Sequence, residues 1–356
     1  MNVNPRVEYE DTTDAFLSLV RGIYQNGYLL EGKKGLTKEI NSISFSVVKP
    51  LDRVHVIPNR RNNIFMTIAQ SLWVLAGRND VDFLVRYLPR AIEFSDDGKI
   101  WMGGYGSRIR NWRNSVDQVG EVYRKLKQEN ISRQAVISIF DPEIDFQISK
   151  DVPCTNWLDF ICRNSNLDLN VALRSNDLFW GFSGINAFEW SLLQEMMAYW
   201  IGVSVGSLHF FVGSMHYYER HFDAVLNIVR NNNFKTVYDY GFESPRFCTS
   251  FDSFDTELQK LFEVEGLMRL GKWDYKDKYE IIKDPFLRHC LQLMGIYNYY
   301  LGVGLDAKIG GLFGDIVVSD LRLAGIEFFM RKYKTLGWVD LNETEKEFLI
   351  QFGDRK

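Results

Sequence analysis

Periodic patterns of apolar residues predict alternating helices and strands along the first part of the chain. Residues 12–27 carry apolar side chains at helical spacing, with Thr12 or Thr13 as N-cap. Residues 42–48 alternate serine with apolar residues, as a half-buried strand does. Further helices are predicted over residues 64–76, 116–128 and 188–201, and further strands over 135–139, 157–162, 167–174 and 203–214. This mixture predicts an α/β body.

The pattern becomes purely helical after about residue 245. Four helices are predicted over residues 255–270, 285–301, 319–336 and 343–352. Ser319 and Asn342 are residue types that favour the N-cap position. We therefore predict two domains, a catalytic domain over residues 1–245 and a helical C-terminal extension over residues 246–356, each of ordinary domain size.

Composition and charge narrow the class of protein. A chain of 356 residues buries enough apolar surface to fold without disulfides or a structural metal. The 42 Lys and Arg against 46 Asp and Glu, with no basic block, argue against nucleic acid as the main partner. The four cysteines have no CxxC spacing, which predicts no metal site and no disulfide framework. We expect reduced thiols and a cytoplasmic protein.

The apolar segments do not predict a membrane protein. The N-terminus lacks a basic start followed by an apolar stretch, so no secretory signal is expected. The most apolar region, residues 196–218, is interrupted by glycines, serines and two histidines. A membrane-spanning helix needs about 20 mostly apolar residues, so this region is predicted to be buried core.

A cysteine follows a proline in the segment Asp-Val-Pro-Cys-Thr, residues 151–155. A thiol becomes a good nucleophile where nearby positive charge lowers its pKa. Arg133 and Arg174 are candidates for that charge. Taken alone, Cys154 has an alternative interpretation as a structural residue, because free cysteine is among the most buried residue types.

Several polar groups have the chemistry to bind a nucleotide. Arg174 and Ser175 begin the sequence Arg-Ser-Asn-Asp and can hold a phosphate through charge-assisted hydrogen bonds. The amide of Asn186 offers both a donor and an acceptor to a base edge. His216 and Tyr218, two residues apart, would face the same side of a strand and can donate to sugar hydroxyls. In isolation, a polar turn explains residues 174–177 equally well, and a lone histidine beside an aromatic strand is more often a core residue.

Tyr105 lies in a glycine-rich segment, residues 103–110, where the backbone can approach a ligand closely. The segment is not a phosphate-binding Walker loop, because no Gly-Lys-Ser/Thr follows it.

Taken in order, these segments resemble the thymidylate synthase superfamily, which includes the pyrimidine-nucleotide hydroxymethylases. The match runs from about Gly35 to about Phe242. Its motifs occupy residues 70–77, 104–106, 117–118, 132–133, 153–154, 174–177, 186, 213–218 and 238–240. So many motifs in the right order make a chance similarity improbable.

The resemblance implies a dimeric α/β fold with a large mixed β-sheet and surrounding helices. It also implies binding of a pyrimidine nucleoside 5′-monophosphate and 5,10-methylenetetrahydrofolate. Cys154 matches the family nucleophile, which adds to C6 of the pyrimidine so that C5 attacks the one-carbon unit. Tyr105 matches the tyrosine involved in removing the C5 proton, Asp177 the pterin-binding carboxylate, and His216 and Tyr218 the sugar-binding pair.

The same resemblance implies which residues bind the 5′-phosphate. Arg174 and Ser175 match the phosphate-binding pair, and Arg133 matches an arginine that the other subunit of a homodimer contributes. Lys34 falls near the phosphate-binding loop, where the family usually has arginine. Gln134 replaces the second of two family arginines, which leaves one cation fewer for the phosphate.

Other departures from the family pattern concern the reaction itself. Thr155 follows the cysteine where thymidylate synthases usually have histidine, and one extra residue lies between Gly181 and Asn186. The Asn186 amide fits uracil directly and, if flipped, cytosine. Gln70 occupies the position of a catalytic glutamate and cannot carry a proton. Glu189 is a candidate replacement for that acid.

These features predict transfer of a one-carbon unit from methylenetetrahydrofolate to C5 of the nucleotide. Water attacking the intermediate gives a hydroxymethyl product, whereas hydride from the folate gives a methyl product. The Pro-Cys-Thr motif and the extension in place of a short C-terminal tail favour hydroxymethylation of CMP, dCMP or dUMP. Thymidylate synthesis from dUMP is the alternative. Gln70 and Gln134 motivate a third hypothesis, a catalytically weakened regulatory nucleotide binder.

Overall fold

The computed structural model describes residues 7–32, 34–231, 234–272, 279–334 and 336–353. Their contacts divide the chain into two compact units. The first holds the described residues up to Arg53 and those from Ala69 to Arg230, and the second holds residues 54–68 and those from Asn231 onward. The second unit therefore begins before the predicted boundary at residue 245 and includes an earlier segment. A catalytic role for residues 1–245 stays a prediction.

The first unit contains an eight-stranded mixed sheet. The strands are β1 Val7–Tyr9, β2 Tyr28–Gly32, β3 Gly35–Val47, β4 Val136–Ser138, β5 Thr155–Arg163, β6 Asn166–Leu173, β7 Asn176–Asp177 and β8 Ser204–Tyr218. Their order is β1-β3-β8-β6-β5-β4, with β2 also paired to β3 and β7 to β8. The pairs β1–β3, β6–β8 and β7–β8 are parallel and the others are antiparallel. The predicted α/β class with a large mixed sheet is confirmed.

The first unit contains the helices predicted for this part of the chain and several short helices that were not predicted. They are α1 Thr12–Asn26, α2 Ile64–Leu75, α3 Val81–Val85, α4 Gly106–Arg110, α5 Gln118–Gln128, α6 Pro142–Asp145, α7 Ala187–Ile201 and α8 Phe222–Arg230. Helix α2 begins in the second unit and enters the first at Ala69. The predicted N-cap of α1 is wrong: Asp11 accepts hydrogen bonds from the amides of Thr13 and Asp14 at 2.7 and 2.8 Å, and both threonines are buried.

The core of the first unit lies on one face of the sheet. Along β8, Leu208, Phe210 and Val212 are buried, whereas the residues between them point to a more open face. Phe210 stacks on Phe45 of β3 with ring centroids 5.1 Å apart, and Phe182 packs edge-on against it at 5.2 Å. Each such fully buried side chain contributes roughly 1.5–3 kcal/mol, so this face anchors the segments that carry the polar residues.

The second unit is helical. Its helices after residue 231 are α9 Phe251–Arg269, α10 Pro285–Val303, α11 Lys308–Gly314, α12 Asp320–Tyr333 and α13 Glu343–Ile350. The predicted N-caps are confirmed: Ser319 caps α12, and Asn342 forms a capping box on α13. Phe65 stacks on Tyr297 at 4.8 Å, which is why residues 54–68 belong to this unit.

No helix in the described parts of the chain is both long and apolar enough to span a membrane.

Candidate active site

A cavity of about 110 Å³ in the first unit brings together five of the predicted site residues. They come from α2, the glycine-rich turn before α4, the loop before β5, β7 and the segment before α7: Gln70, Tyr105, Cys154, Asp177 and Asn186. The remaining wall consists of Trp73, Val74, Trp101, Gly103, Gly104, Asp151, Asn176, Trp180, Gly181 and Ile185. The cavity therefore combines aromatic surface with a small number of convergent polar groups, as ligand sites usually do.

Strand pairing places Cys154 beside Arg174. Thr155 at the start of β5 lies opposite Leu173 at the end of β6, and the Arg174 amide donates to the Cys154 carbonyl at 2.9 Å. The Arg174 guanidinium donates to the carbonyls of Pro153 at 2.9 Å and Val152 at 2.7 Å. One arginine thus fixes the loop that presents the thiol.

Burial and charge oppose each other at the thiol. Burial is the main cause and raises the pKa of Cys154, whereas the positive charges of Arg174 and Lys34 lower it. The carboxylates of Asp151 and Asp177 raise it again. The thiol form therefore dominates at neutral pH.

Tyr105 stands next to Cys154, the predicted nucleophile. Its hydroxyl accepts a hydrogen bond from the Thr155 amide at 3.3 Å, and its ring stacks on Trp190 with centroids 5.4 Å apart. Burial, helped by the nearby Cys154, raises the pKa of Tyr105 far above its usual value. Tyr105 therefore stays a neutral hydroxyl that can donate or relay a proton.

The glycine-rich turn has no space for side chains. A Cβ on Gly103 would lie 2.5 Å from Asp151 Oδ2, and one on Gly104 would lie 2.7 Å from the Trp73 ring. A Cβ on Gly106 would lie 2.2 Å from the Arg78 carbonyl oxygen. These glycines let the turn that carries Tyr105 pack directly against the cavity wall.

We predict that Gly106→Ala lowers the free energy of unfolding by roughly 1–3 kcal/mol, because the methyl group would clash with backbone that cannot rotate away. Gly22→Ala is the matched control: it lies inside α1, and its Cβ would meet only Ile40 at 4.0 Å. The control should raise stability by about 0.5–1 kcal/mol. Urea denaturation measures both, and equal stabilities of the two variants would contradict the packing described.

Asp177, His216 and Tyr218 form a second polar group beside the cavity. Asp177 on β7 pairs with His216 on β8, and the His216 ring meets the Tyr218 ring edge-on at 5.3 Å. Asp177 accepts hydrogen bonds from the Phe179 amide at 2.9 Å and from Arg220 at 3.2 Å. Burial lowers the pKa of His216, so its imidazole is neutral at pH 7. The structure thus brings the predicted sugar-binding pair and the predicted carboxylate together.

The segment before Asn186, where one extra residue is predicted, is a π-helix, Leu178–Asn186. Such a segment accommodates one additional residue without changing the direction of the helix that follows. A Cβ on Gly181 would lie 1.9 Å from Asn176 Oδ1 and 3.4 Å from Asn186 Oδ1. The amides of Asn176 and Asn186 therefore converge over this glycine, and both line the cavity.

The position of the missing acid, occupied by Gln70, and its candidate replacement, Glu189, lie in different environments. Gln70 lines the cavity, and its buried Oε1 accepts no hydrogen bond from the described residues. Glu189 on α7 is fully buried, and its oxygens likewise have no partner among those residues. Burial raises the pKa of Glu189 well above its usual value. Glu189 is not among the residues that line the cavity.

Arg133 is not brought to this cavity. It lies in a separate surface cavity of about 460 Å³, lined by Glu129, Ile131, Ser132, Arg133, Gln134 and Arg163. Lys34 is exposed, with its Nζ 5.7 Å from the centre of the Phe94 ring, and its charge acts on Cys154. Arg174 is exposed and Ser175 partly exposed, so both are accessible to a ligand.

Two polar residues of the cavity were missed by the sequence interpretation. Asp151 accepts a hydrogen bond from Trp101 Nε1 at 2.7 Å. Asn176 is 1% exposed, and its amide has no partner among the described residues. Both stand inside motifs that had been noticed, three residues before Cys154 and two after Arg174. Their position within these two motifs is the sequence feature from which they could have been predicted as site residues.

Comparison with known proteins gives a consistent result. The model of the thymidylate synthase family matches residues 14–261. The chain is 35% identical to a deoxyuridylate hydroxymethyltransferase of Bacillus phage SP01, over 95% of this chain and 97% of that protein. It is 30% identical to the deoxyuridylate hydroxymethyltransferase of Pseudomonas phage M6, over 80% and 82%. A putative thymidylate synthase of Methanosarcina barkeri is 36% identical over 36% of this chain and 58% of that protein.

Proposed function

Because the chain belongs to the thymidylate synthase family, we propose that it hydroxymethylates deoxyuridylate at C5 of the uracil. It is a one-carbon transferase of this family, and relatives that align over most of the chain carry the name deoxyuridylate hydroxymethyltransferase. The observation that carries the proposal is the placement of Cys154, Tyr105 and Asn186 in one cavity. The predicted hydroxymethylation agrees with these relatives, and the choice of dUMP as the substrate is our proposal.

Each residue has a defined part in this reaction. Cys154 Sγ adds to C6 of the base, which splits one difficult substitution into two easier steps. The Asn186 amide donates to O4 of uracil and accepts from N3–H. Tyr105, held neutral beside Cys154, helps to remove the proton from C5. Arg174 and Ser175 bind the 5′-phosphate.

The cavity wall fits a folate. Trp73, Trp101 and Trp180 line it, and indole rings stack well on a flat heteroaromatic ring. Asp177 offers a carboxylate that can accept hydrogen bonds from ring nitrogens of a pterin. Bound 5,10-methylenetetrahydrofolate would supply the one-carbon unit. We propose it as the cosubstrate because no other donor is implied by the family.

The experiment that tests the function is a dual measurement on four nucleotides. The protein is incubated with methylenetetrahydrofolate and one of four nucleotides labelled with tritium at C5: dUMP, dCMP, UMP or CMP. Tritium release is measured, and the product is identified by mass spectrometry. We expect tritium release and a hydroxymethyl product from dUMP. A methyl product would favour thymidylate synthesis, and nucleotide binding without tritium release would favour a regulatory binder.

We further propose a homodimer in which Arg133 binds the phosphate in the partner's site. Arg133 lies outside the cavity of its own chain. Apolar side chains are exposed nearby and on the open face of the sheet, including Ile131 at 61%, Val136 at 46% and Trp157 at 38%. A second copy would bury them, as obligate dimers do. The cytoplasmic location stays a prediction.

Mixing two impaired variants tests this arrangement. Arg133→Ala and Cys154→Ser should each be nearly inactive, because one lacks the shared arginine and the other the nucleophile. Dimers that combine them contain one site with both residues intact. After joint refolding, activity should therefore return to about a quarter of the unmodified level. No recovery would show that Arg133 does not act across subunits.

A further inference from the structure

Asp151 is a carboxyl group in the cavity wall to which no role has been given. Its Oδ2 accepts the hydrogen bond from Trp101 Nε1 at 2.7 Å, and its side chain packs against Gly103, where a Cβ would lie 3.1 Å from Cγ. Its second oxygen, Oδ1, accepts no hydrogen bond from the described residues. Asp151 lines the same cavity as Cys154 and Tyr105. One oxygen is therefore fixed and the other is available to a ligand or water.

The other acidic groups near the reacting atoms are less suited to proton transfer. Both oxygens of Asp177 already accept hydrogen bonds, one from the Phe179 amide and one from Arg220. Glu189 lies outside the cavity lining. Gln70 lines the cavity but has no titratable proton. Asp151 is the remaining carboxyl group among the described lining residues.

We propose that Asp151 is the general base that activates the water molecule in the hydroxymethylation step. The proposal rests on the proposed function. After transfer of the one-carbon unit and departure of the folate, the base carries an exocyclic methylene at C5 and remains bound to Cys154 at C6. Asp151 takes a proton from water while the water oxygen bonds to the methylene carbon. The methylene π electrons move into the ring, C5=C6 forms, and the C6–S bond breaks to release the Cys154 thiolate.

This step balances without an oxidant or a reductant. One water molecule is consumed, its hydroxyl ends on the product, and its proton ends on Asp151. The protonated Asp151 then returns the proton to the thiolate of Cys154, so both groups regain their starting state. Formation of a methyl product would instead need a hydride donor. Addition of a hydride releases no proton, so it would not require Asp151 as a base.

The electrostatic setting of Asp151 suits a base that must both accept and release a proton. Burial, its largest influence, raises the pKa of Asp151, whereas the Trp101 hydrogen bond and the charges of Lys34, Arg174 and Arg108 lower it. Cys154, Tyr105 and Asp177 are the other titratable groups of the cavity lining. A pKa above the ordinary range brings the group closer to neutral pH, where general bases are most effective.

The test separates proton loss at C5 from formation of the product. In Asp151→Asn, a first turnover of C5-tritiated dUMP should release tritium within about threefold of the unmodified rate, because Cys154 and Tyr105 are intact. Formation of the hydroxymethyl product should fall by about 10²- to 10⁴-fold. The intermediate should accumulate as a protein–nucleotide adduct visible by intact mass. Added 2-mercaptoethanol should capture it as a C5 thioether, since a thiol needs no base of this kind.

Two further variants distinguish proton transfer from loop positioning. Asp96 holds the same loop from outside the cavity, accepting hydrogen bonds from Ser149 at 2.7 Å and the Lys150 amide at 3.0 Å. Asp96→Asn should therefore change tritium release and product formation together. Trp101→Phe removes the donor that stabilises the Asp151 carboxylate. The acid limb of the pH profile for product formation should then move upward by roughly 0.5–1 pH unit.

The outcomes are distinct for the two proposals. A normal product rate in Asp151→Asn, or an equal fall in tritium release and product, would overturn the role of Asp151. An unshifted acid limb in Trp101→Phe would also count against it. Failure of the proposed function appears instead in the unmodified enzyme, as a methyl product from dUMP or as no tritium release.

Discussion

Cys154→Ser is expected to lower the rate of tritium release from C5 of dUMP by at least about 10⁴-fold. In the proposed mechanism, every chemical step at C5 requires the bond between the Cys154 sulfur and C6 of the base. A serine hydroxyl is far less acidic than a thiol and cannot form this bond at a useful rate. Binding of dUMP should change little, because Arg174, Asn186 and the cavity walls remain.

Cys248→Ser is the matched control for this experiment. Cys248 is a free and exposed cysteine in the second unit, and the same substitution there should leave the rate unchanged. Intact mass after mixing with dUMP and the folate should show an adduct only where Cys154 is present. A Cys154→Ser variant with full activity would rule out the covalent mechanism.

Asn186→Asp is expected to reverse the base preference. In the proposed complex the Asn186 amide donates to O4 of uracil. A carboxylate has no donor to replace it, so kcat/KM for dUMP should fall by about 10²- to 10⁴-fold. Cytosine offers an amino group at C4 that donates to a carboxylate oxygen. The kcat/KM for dCMP should therefore rise above that for dUMP.

The measurement is kcat/KM for both nucleotides, with the product identified by mass. Asn166→Asp is the control, since Asn166 is exposed at the start of β6 and away from the cavity lining. It should leave the ratio between the two nucleotides unchanged. An Asn186→Asp variant that still prefers dUMP would show that another residue, with Asn176 the nearest candidate, reads the base.

The sequence was sufficient to predict the elements and most of the candidate site. Alternating and helical patterns predicted β6 and α7 to within one residue at each end, because these periodicities follow directly from strand and helix geometry. The predicted strand 203–214 began within one residue of β8 but stopped four residues before its end at Tyr218. Cys154 and Arg174 were recognised by their local motifs. Pairing of β5 with β6 then places them side by side. The sequence was therefore sufficient to identify candidate site residues wherever a short local motif contains them.

Predictions from local sequence patterns were wrong where contacts with distant segments determine the structure. The N-cap of α1 is Asp11 rather than a threonine, because Thr12 and Thr13 turn into the core. Residues 54–68 pack with the second unit through contacts such as Phe65 on Tyr297, which no nearby residue reveals. Glu189 has the right spacing from Asn186 for the missing acid, yet it lies outside the cavity lining.

The sequence by itself thus determined the family, most strands and helices, and the candidate nucleophile Cys154, because each depends on neighbours along the chain. Only the tertiary structure shows which carboxyl groups line the cavity with Cys154, and Asp151 is one of them. Asp151 gains its environment from Trp101, a residue 50 positions away, and from the burial that raises its pKa. Desolvation and charge at one atom are sums over all segments that surround it, so they become readable only once the chain has folded.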